Sequence, residues 1–462
     1  MFSIKLLFAL YLLQLSIAYD VRYDGFPTGN PQNWGFVNVR EGAYMFWWMH
    51  FAKNVTLHTD RPIIFWLQGG PGSSSTGYGN FEILGPLDLA QQERNFTWVN
   101  THNVLFVDNP VGTGFSYVDD LKYLSTDNKQ IAKDLIEVLR GFYELYPDFK
   151  TVPLHIFGES YGGKMAIEFA YELNKEIQEG KIDSNLIGVY LGDAWTSPID
   201  YTLSWAPYLL NLGFVDEDGY QKINNMARRT ERVLQQGQYV LATDLWYMTE
   251  VILEEEARAI DFYNVQYDIA YRGGISAKTA KQLGSAKARD YAYELMVNYR
   301  RLSTSLADED EETPVPLTLN NMMRNVVHPA LKLPEHVIFG SQSGPVFDTL
   351  AGDFMKPVVH IVEKVLNETN VKVVVYNGQL DLICSTPGTI KWVNGMNWYG
   401  KKQYASATRN AISVNGLLEG YVRKYGRFAM YWLNRSGHMA PFDNPRACSV
   451  MLREETNFPS DY

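Results

Sequence analysis

The chain alternates between short apolar runs and longer stretches in which apolar residues recur at helical spacing. Several of the runs are continuously apolar, which is typical of strands that helices cover on both faces. Seven runs have strand character: residues 42–51, 62–68, 103–110, 154–160, 186–193, 371–378 and 427–434. Helical spacing is clear in residues 128–146, which lie between two of these runs. This alternation predicts an α/β protein with a mostly parallel central sheet flanked by helices.

The pattern changes between about residues 198 and 334, where charged helical segments replace the strand-like runs. Residues 220–236 and 242–260 are examples of these segments. We interpret the region as a helical insertion on the α/β body that covers the functional site as a cap. Near its end, residues 308–316 read DEDEETPVP, which predicts an exposed, poorly ordered loop. Such a loop is either a proteolytic processing site or simply solvated chain.

The first 18 residues predict a secretory signal peptide. Lys5 precedes an apolar stretch that ends in small residues, and cleavage is expected near Ala18. A membrane anchor is the alternative, but the stretch is short, no basic flank follows it, and no other segment is long and apolar enough to span a bilayer. Residues 19–462 are then expected to form a single α/β domain that carries the insertion.

Export through the secretory pathway gives meaning to the Asn-x-Ser/Thr sequons in the chain. Glycosylation is therefore expected at Asn54, Asn95, Asn367 and Asn434. The only two cysteines, Cys384 and Cys448, either form one disulfide or remain buried thiols, and we expect the disulfide. The formal net charge of -11 and the lack of a basic run argue against nucleic acid as a partner.

Gly158, Ser160 and Gly162 form the pattern G-x-S-x-G at the end of an apolar run of strand type. Residues 163–177, which follow, show helical spacing. In a strand–turn–helix elbow the serine hydroxyl is exposed at the tip, and the sharp turn needs small residues on both sides. Ser160 is therefore the candidate nucleophile, provided that the fold supplies a base, an orienting acid and an oxyanion hole.

Chain order restricts the partners of Ser160, because in such folds the acid and then the base follow the serine. Of the eight histidines, only His438 lies beyond the last clear unit of a strand, a glycine turn and an acid, which ends at Asp381. Both residues come just after a strand, where α/β proteins build their sites. We predict Asp381 as the orienting acid and His438 as the general base. A structural histidine is the alternative for His438.

An oxyanion hole needs backbone N–H groups that point at a developing negative charge. Tyr161, the residue after the serine, supplies one. The glycine-rich loop after residue 68 supplies the other, and we assign it to Gly70 because Gly69 and Gly70 leave the backbone open before Pro71 fixes the turn. A phosphate-binding loop is the rival interpretation, but the Lys and Ser/Thr of a P-loop are missing.

Five motifs together resemble those of the serine carboxypeptidases. In chain order they are WLQGGPGSSSTGYGNFEILGPL, DNPVGTGFSY, FGESYGGK, NGQLDLI and SGHMAP. The resemblance implies an α/β-hydrolase fold with a helical insertion, and removal of single residues from the C-termini of peptides and proteins. It implies Ser160, Asp381 and His438 as the catalytic triad of a covalent acyl-enzyme mechanism that uses neither cofactor nor metal.

The resemblance also assigns residues that hold the free C-terminal carboxylate of the substrate. They are Gln68, Gly69, Glu82 and Glu159. Two carboxyl groups held close together cannot both ionise cheaply, so one of Glu82 and Glu159 should keep a proton and donate to the substrate. Activity should then be highest at acidic pH. The alternatives are an acid at a helix start for Glu159 and a surface residue for Glu82.

Met439 resembles the residue that lines the leaving-group pocket in this family, and a plain core methionine is the alternative. The chain has Gln68 where the family usually has Asn, and Ser73 where it usually has Cys. We therefore expect a secreted or lysosomal serine carboxypeptidase that acts on peptide C-termini. Two alternatives are an esterase or acyltransferase with the same triad and a non-catalytic binding protein of the same fold.

Overall fold

A computed structural model of the chain describes residues 26–27, 29–258, 260–267 and 318–458. The expected signal peptide at residues 1–18 and the acidic loop at residues 308–316 lie outside the described residues. Eleven strands form one mixed sheet. The strands are β1 (Gln32–Arg40), β2 (Ala43–His50), β3 (Ile63–Leu67), β4 (Asn103–Val107), β5 (Tyr117–Val118), β6 (Pro153–Glu159), β7 (Asn185–Gly192), β8 (Lys372–Gly378), β9 (Asn410–Val414), β10 (Leu417–Tyr425) and β11 (Phe428–Leu433).

The strand order is β1-β2-β4-β3-β6-β7-β8-β11-β10-β9, with β5 paired to β2. The pairs from β4 to β11 along this order are parallel, and the pairs outside them are antiparallel. All seven runs predicted from the sequence coincide with strands, namely β2, β3, β4, β6, β7, β8 and β11. The mostly parallel centre is therefore as expected, and it places the carboxyl ends of β3, β6, β7, β8 and β11 at one edge.

Helices flank the sheet and fill most of the chain between the strands. The α-helices are α1 (Asn128–Leu145), α2 (Tyr161–Gln178), α3 (Pro198–Leu212), α4 (Glu217–Gln235), α5 (Tyr239–Ala257), α6 (Leu319–Met322), α7 (His328–Ala330), α8 (Gly344–Thr349), α9 (Ala351–Phe354), α10 (Val359–Glu368), α11 (Thr386–Gly395), α12 (Lys401–Ser406), α13 (Ala440–Asp443) and α14 (Pro445–Thr456). Segments Ser75–Leu84 and Met323–Val327 are π-helical. Single 3-10 turns occur at His58–Asp60, Trp98–Asn100, Leu121–Tyr123 and Pro147–Thr151.

The sheet separates two apolar clusters because successive side chains of a strand point to opposite faces. In β3, Ile63, Phe65 and Leu67 join the cluster that includes α1 and α2. Ile64 and Trp66 join the cluster on the other face, which includes α14. All five side chains are fully buried. Coverage of both faces explains why the central strands are continuously apolar in the sequence.

The described part of the predicted insertion begins with α3, α4 and α5, which follow β7 directly. It also includes an irregular segment of bends and turns, residues 260–267, which we call the strap. Residues 319–339 then pack in a third apolar cluster with β1 and β2, in which Trp48, Phe81, Met322 and Phe339 are buried. Within the described ranges, no helix combines the length and the apolar character needed to cross a bilayer.

Candidate active site

The backbone turns sharply at Ser160, between β6 and α2. Ser160 has φ 62° and ψ -130°, a conformation that non-glycine residues rarely adopt. Its N–H donates to the carbonyl oxygen of Gly192 at 3.0 Å, and its own carbonyl oxygen accepts from the N–H of Trp195 at 2.8 Å. Both partners lie at or just after the end of β7. The neighbouring strand thus holds the strained turn and leaves the Ser160 side chain partly exposed at the tip.

Close backbone contacts explain the glycines around this serine. A Cβ atom on Gly158 would lie 2.2 Å from the carbonyl oxygen of Gly162. A Cβ atom on Gly162 would lie 2.1 Å from the carbonyl oxygen of Leu67, at the end of β3. Neither neighbour is a flexible side chain that could move aside. The G-x-S-x-G spacing therefore follows from how tightly the elbow packs on itself and on β3.

Asp381 and His438 meet from the loops after β8 and β11. The Nδ1 atom of His438 lies 2.8 Å from Oδ2 of Asp381, and both side chains are buried. Oδ1 of Asp381 accepts a hydrogen bond of 3.1 Å from the N–H of Cys384. Since Asp381 is a carboxylate partner for Nδ1–H, the other ring nitrogen, Nε2, is left as a proton acceptor.

Ser160 and His438 approach the same residue of the strap. The ring of Tyr263 contacts the imidazole of His438 at 5.2 Å between centroids, and Tyr263 also lines the pocket that contains Ser160. The Nε2 atom of His438 has no hydrogen-bond partner among the described residues. Ser160 and His438 are thus both neighbours of Tyr263, and Nε2 of His438 is left unoccupied by any hydrogen bond within the described part of the chain.

The glycine-rich loop passes directly over the elbow. A Cβ atom on Gly69 would lie 2.6 Å from Cβ of Ser160 and 2.9 Å from the backbone nitrogen of Tyr161. Gly70 has φ 112°, which disfavours other residues, and it lines the same pocket as Ser160. The structure therefore brings together the backbone of Gly70, the backbone of Tyr161 and the serine side chain.

Asp108, at the end of β4, anchors this loop and was not singled out from the sequence. Its carboxylate accepts hydrogen bonds from the hydroxyl of Ser74 at 2.7 Å, from the N–H and hydroxyl of Thr76 at 3.0 and 2.7 Å, and from the N–H of Phe115 at 2.9 Å. Burial raises the pKa of Asp108, and these donors partly offset the rise. An acid directly after an apolar strand, followed by the glycine-rich NPVGTG, was the signal in the sequence.

Tyr161 is fixed through its side chain as well. Its hydroxyl donates to Oδ2 of Asp353 at 2.8 Å, and Nζ of Lys164 lies 2.8 Å from the same oxygen. Burial favours a higher pKa for Asp353. The charge of Lys164 and the hydrogen bonds from Lys164 and Tyr161 outweigh this effect and lower the pKa below the ordinary value. This buried ion pair ties the first turn of α2, and with it the Tyr161 backbone N–H, to helix α9.

Gln68 and Glu159 lie together beneath the glycine-rich loop. The indole N–H of Trp66 donates to Oε1 of Gln68 at 3.1 Å, so the amide nitrogen Nε2 faces Glu159 and donates to Oε1 of Glu159 at 2.7 Å. Glu159 is fully buried. Glu82 lies half-buried in the π-helical segment, where burial lowers the pKa of Arg94 and the charges of Asp88 and Glu82 partly offset this effect.

Half of the residues that line the pocket beside Ser160 are aromatic, and the lining comes from distant parts of the chain. Its lining comprises Gly70, Ser73, Tyr78, Ser160, Trp195, Trp246, Tyr263, Gln342, Phe354 and Ile383. Trp246 comes from α5 and Tyr263 from the strap, so the insertion supplies part of the wall. Met439 is not among these lining residues. It is half-buried and packs against both large apolar clusters, which is the core-methionine alternative.

The strap binds the loops that carry the acid and the base. The carbonyl oxygen of Phe262 accepts from the N–H groups of Leu382 and Ile383, just after Asp381, at 3.1 and 3.0 Å. The carbonyl oxygen of Tyr263 accepts from the N–H of His438 at 2.6 Å. Sequence reasoning missed this segment, because it has no periodic pattern.

Side chains reinforce the strap. Oδ2 of Asp443 accepts from Nδ2 of Asn264 at 3.0 Å and from the N–H of Gly437 at 2.6 Å, and its Oδ1 accepts from the hydroxyl of Tyr267 at 2.6 Å. Oδ1 of Asp261 accepts from two N–H groups of the strap itself. Asp443 therefore joins the loop of His438 to the strap.

The expected disulfide between Cys384 and Cys448 is wrong. Both cysteines are free and buried, and burial raises the pKa of each thiol well above its ordinary value. Cys384 belongs to the apolar cluster that includes α1 and α2, whereas Cys448 belongs to the cluster that includes α14. The two thiols lie on opposite faces of the sheet, so no bridge can join them.

Asp381, Cys384 and His438 present three atoms of metal-ligand type within 4.8 Å of one another. In this group the carboxylate and the imidazole already share a hydrogen bond, and the buried Cys384 thiol holds its proton. A thiolate is the form that binds metals. The arrangement therefore suits proton transfer along the imidazole better than metal coordination.

The four sequons differ in how available their amides are. Asn54, Asn95 and Asn367 are exposed, and Asn434 is half-buried. The Asn367 side chain donates to the carbonyl oxygen of Asn397 at 3.2 Å and accepts from the N–H of Tyr399 at 3.0 Å. Its amide nitrogen is thus engaged in the fold.

Comparison with known proteins gives one consistent result. The family model described as "Serine carboxypeptidase" matches residues 25–457. The chain is 37% identical over 458 residues to the retinoid-inducible serine carboxypeptidase of Rattus norvegicus, covering 96% of each chain. It is 38% identical over 425 residues to the Homo sapiens protein of that name, covering 91% of this chain and 90% of that one. A solved structure of KEX1(delta)p, a prohormone-processing carboxypeptidase from Saccharomyces cerevisiae, has a similar fold, with a TM-score of 0.76 at 20% identity over 95% of each chain.

Proposed function

This chain belongs to the serine carboxypeptidase family, and we propose that Ser160, His438 and Asp381 are the residues with which it cleaves peptide bonds. One observation carries the proposal. His438, in a buried imidazole–carboxylate pair with Asp381, contacts Tyr263, and Tyr263 also lines the pocket in which a strained elbow exposes the Ser160 side chain. These are the parts that nucleophilic acyl transfer requires.

The reaction follows from this geometry. Oγ of Ser160 attacks the carbonyl carbon of the last peptide bond, while Nε2 of His438 accepts the hydroxyl proton and Nδ1–H remains bonded to Asp381. The tetrahedral oxyanion is held by the N–H groups of Gly70 and Tyr161. The C–N bond then breaks, His438 returns the proton to the departing amine, and the C-terminal amino acid leaves. Water, deprotonated by His438, hydrolyses the acyl-enzyme and restores Ser160.

An exopeptidase must also recognise the free carboxylate at the end of its substrate. We assign this task to Gln68, Gly69, Glu82 and Glu159, as the family resemblance implies. Gln68 and Glu159 share a hydrogen bond of 2.7 Å directly below the loop that covers Ser160. A carboxyl group that keeps its proton there donates to the substrate carboxylate, whereas two ionised carboxylates would repel it. Acidic pH should therefore favour binding.

The aromatic wall of the pocket suggests a preference for the residue before the scissile bond. Trp195, Trp246, Phe354 and Ile383 line the pocket next to Ser160. The indole N–H of Trp195 already donates to the carbonyl oxygen of Phe354 at 3.1 Å, so this ring offers its apolar surface to a ligand. We propose that large apolar side chains bind there, because they bury the most apolar area.

We also propose that the protein is exported and acts as a secreted or lysosomal enzyme. The N-terminal sequence pattern and the exposed sequons at Asn54 and Asn95 support this. Expression in animal cells tests it. The expected result is protein in the medium or in lysosomes, with a mass that falls after treatment with an N-glycosidase. Unglycosylated protein in the cytosol would contradict it.

A matched set of peptides tests the activity. Each peptide is offered with a free C-terminal carboxylate and as its C-terminal amide, and the products are identified by mass. We expect single residues to be removed from the acids, faster at acidic pH, with the amides largely intact. Ser160→Ala should release nothing. Equal turnover of acids and amides, or turnover of esters alone, would contradict the proposed function.

A further inference from the structure

Asp193 directly follows Gly192, the last residue of β7. Its backbone has φ 41°, its N–H donates to the carbonyl oxygen of Tyr376 at 2.8 Å, and its side chain is fully buried. Oδ1 of Asp193 accepts a hydrogen bond of 2.7 Å from the N–H of Gly378. Gly378 ends β8, and Asp381 follows it after two residues. The Asp193 carboxyl thus supports the loop that presents Asp381.

The second oxygen of Asp193, Oδ2, is buried and has no hydrogen-bond donor among the described residues. The carboxyl group nevertheless lies within hydrogen-bonding reach of the Asp381 carboxyl group. A hydrogen bond between two carboxyl groups needs one proton. Asp381 accepts from the imidazole of His438 and from the N–H of Cys384, which favours its ionised form. The proton therefore belongs to Asp193.

The surroundings agree with a neutral Asp193. Within the described part of the chain, the titratable side chains with the largest effects on it are the acids Asp381 and Glu159, and two thiols and a phenol also interact with it: Cys384, Cys448 and Tyr376. None of these can neutralise a second buried carboxylate. Burial and then the charge of Asp381 raise the pKa of Asp193 well above its ordinary value.

We propose that Asp193 is a protonated positioning residue whose Oδ2–H donates to the carboxylate of Asp381 and holds it in place for His438. The proposal rests on the proposed roles of Asp381 and His438. A neutral acid orients the carboxylate without placing a second negative charge beside the imidazole. It also couples the acid to the nucleophile, because Trp195, two residues on, donates its N–H to the carbonyl oxygen of Ser160.

Two variants separate this role from a merely structural one. In Asp193→Asn, the Gly378 N–H requires the amide oxygen, so the amide nitrogen faces Asp381 and replaces the proposed O–H donor. Asp193→Leu has a similar volume and no donor. The first measurement is the rate at which a fluorophosphonate labels the full-length protein from pH 4 to 8. The second is kcat and KM for a peptide acid.

We expect Asp193→Asn to label within about threefold of wild type and to keep its pH profile. Asp193→Leu should label about 10- to 100-fold more slowly, because Asp381 is no longer held. The acidic limb of the labelling rate against pH should shift in this variant. Its kcat for the peptide acid should fall, while its KM should stay close to that of wild type. An Asn variant as slow as the Leu variant would show that an ionised Asp193 is needed, and would overturn the proposal.

A Leu variant with the wild-type profile would overturn it as well. If Asp193→Leu does not fold, infrared difference spectra of wild type minus Asp193→Asn at pH 7 decide the question. The expected result is a carbonyl band of a protonated carboxylic acid in the wild type, and its absence would overturn the proposal. A wild-type protein that the probe does not label at Ser160 would instead overturn the proposed function on which this inference rests.

Discussion

The backbone N–H of His438 donates to the carbonyl oxygen of Tyr263 across 2.6 Å, and the two rings are in edge contact. The candidate base is therefore held by the strap, a segment of the insertion, and not by the α/β body alone. Because Tyr263 also lines the pocket that contains Ser160, the predicted insertion connects the pocket wall to the loop of His438.

Loosening the strap should lower turnover. Asp443→Ala removes the acceptor for Asn264, Tyr267 and Gly437 at once, so the loop of His438 should lose its fixed position. We expect kcat to fall by about tenfold or more. Tyr267→Phe removes one of these bonds and should cost only about 1 kcal/mol of stability with little change in kcat. Steady-state kinetics and urea denaturation of the two variants test this prediction. Equal kcat values in Asp443→Ala and Tyr267→Phe would contradict the role of Asp443 in positioning His438.

Asp261 should make the folded protein more stable in acid. Burial raises the pKa of this carboxyl from 3.8 to about 6. Between these values the folded protein binds more protons than the unfolded chain, so the free energy of unfolding falls as the pH rises through the interval. Asp261→Asn keeps an oxygen for the N–H groups of Tyr263 and Asn264 but does not titrate. Between about pH 4 and pH 6, the free energy of unfolding of wild type should fall because Asp261 titrates. The fall should be smaller in Asp261→Asn, by about 2 kcal/mol.

Denaturant unfolding at a series of pH values measures this difference. Asp60→Asn, which changes an exposed carboxyl group, is the control and should follow the wild-type curve. Parallel curves for wild type and Asp261→Asn would show that Asp261 does not carry the effect.

Ser160 should be the residue that a fluorophosphonate labels, because among the described serines it is the one at a strained elbow with its side chain exposed to the pocket. Ser160→Ala should abolish labelling and lower kcat by on the order of a millionfold. Peptide mapping of the labelled protein identifies the site. Ser413→Ala, at an exposed serine on β9, should label normally. A label on Ser73, Ser74 or Ser75 would refute the assignment.

The carboxyl groups of Glu82 and Glu159 should determine how KM depends on pH. As pH rises and the pair loses its proton, the KM of a peptide acid should increase, while an ester substrate should change little. Glu82→Gln and Glu159→Gln keep a donor and do not titrate, so their KM should depend less on pH. Profiles of KM against pH for the three proteins make the comparison. If all three lose affinity in parallel, the pair does not bind the substrate in this way.

Gly162 should tolerate no side chain. A Cβ atom there would lie 2.1 Å from the carbonyl oxygen of Leu67. We expect Gly162→Ala to destabilise the protein by about 3 kcal/mol and to reduce labelling of Ser160. Gly395→Ala is the matched control, since its Cβ would meet nothing within 4 Å. It should be neutral or slightly stabilising. Melting temperatures of the two variants and of wild type measure this difference in stability.

Sequence patterns predicted the centre of the sheet but not its edges. The missed strands β1, β5, β9 and β10 pair antiparallel, and each has half-buried or exposed residues because fewer of its faces are covered. Their polar alternation resembles loop sequence more than a buried strand does. The central strands, in contrast, are easy to recognise in the sequence, since both of their faces must be apolar.

The candidate site shows the same division. Ser160, Asp381 and His438 follow strands in motifs that can be recognised locally. Gln342, Trp246 and the strap reach the pocket through long connections, so no local pattern marks them. Asp193 stood at the end of a predicted strand, but its contact with Asp381 depends on the order of β7 and β8 in the sheet.

The two unbridged cysteines give the protein a built-in pair of unfolding reporters. Cys384 and Cys448 are both inaccessible in the native state and lie against opposite faces of the sheet. A thiol-reactive reagent can modify either one only when its own face opens, so the two alkylation rates measure the opening of the two layers separately. Equal rates would mean that the layers open together as one cooperative unit. Faster modification of Cys384 would mean that the active-site layer opens while the layer around α14 stays closed.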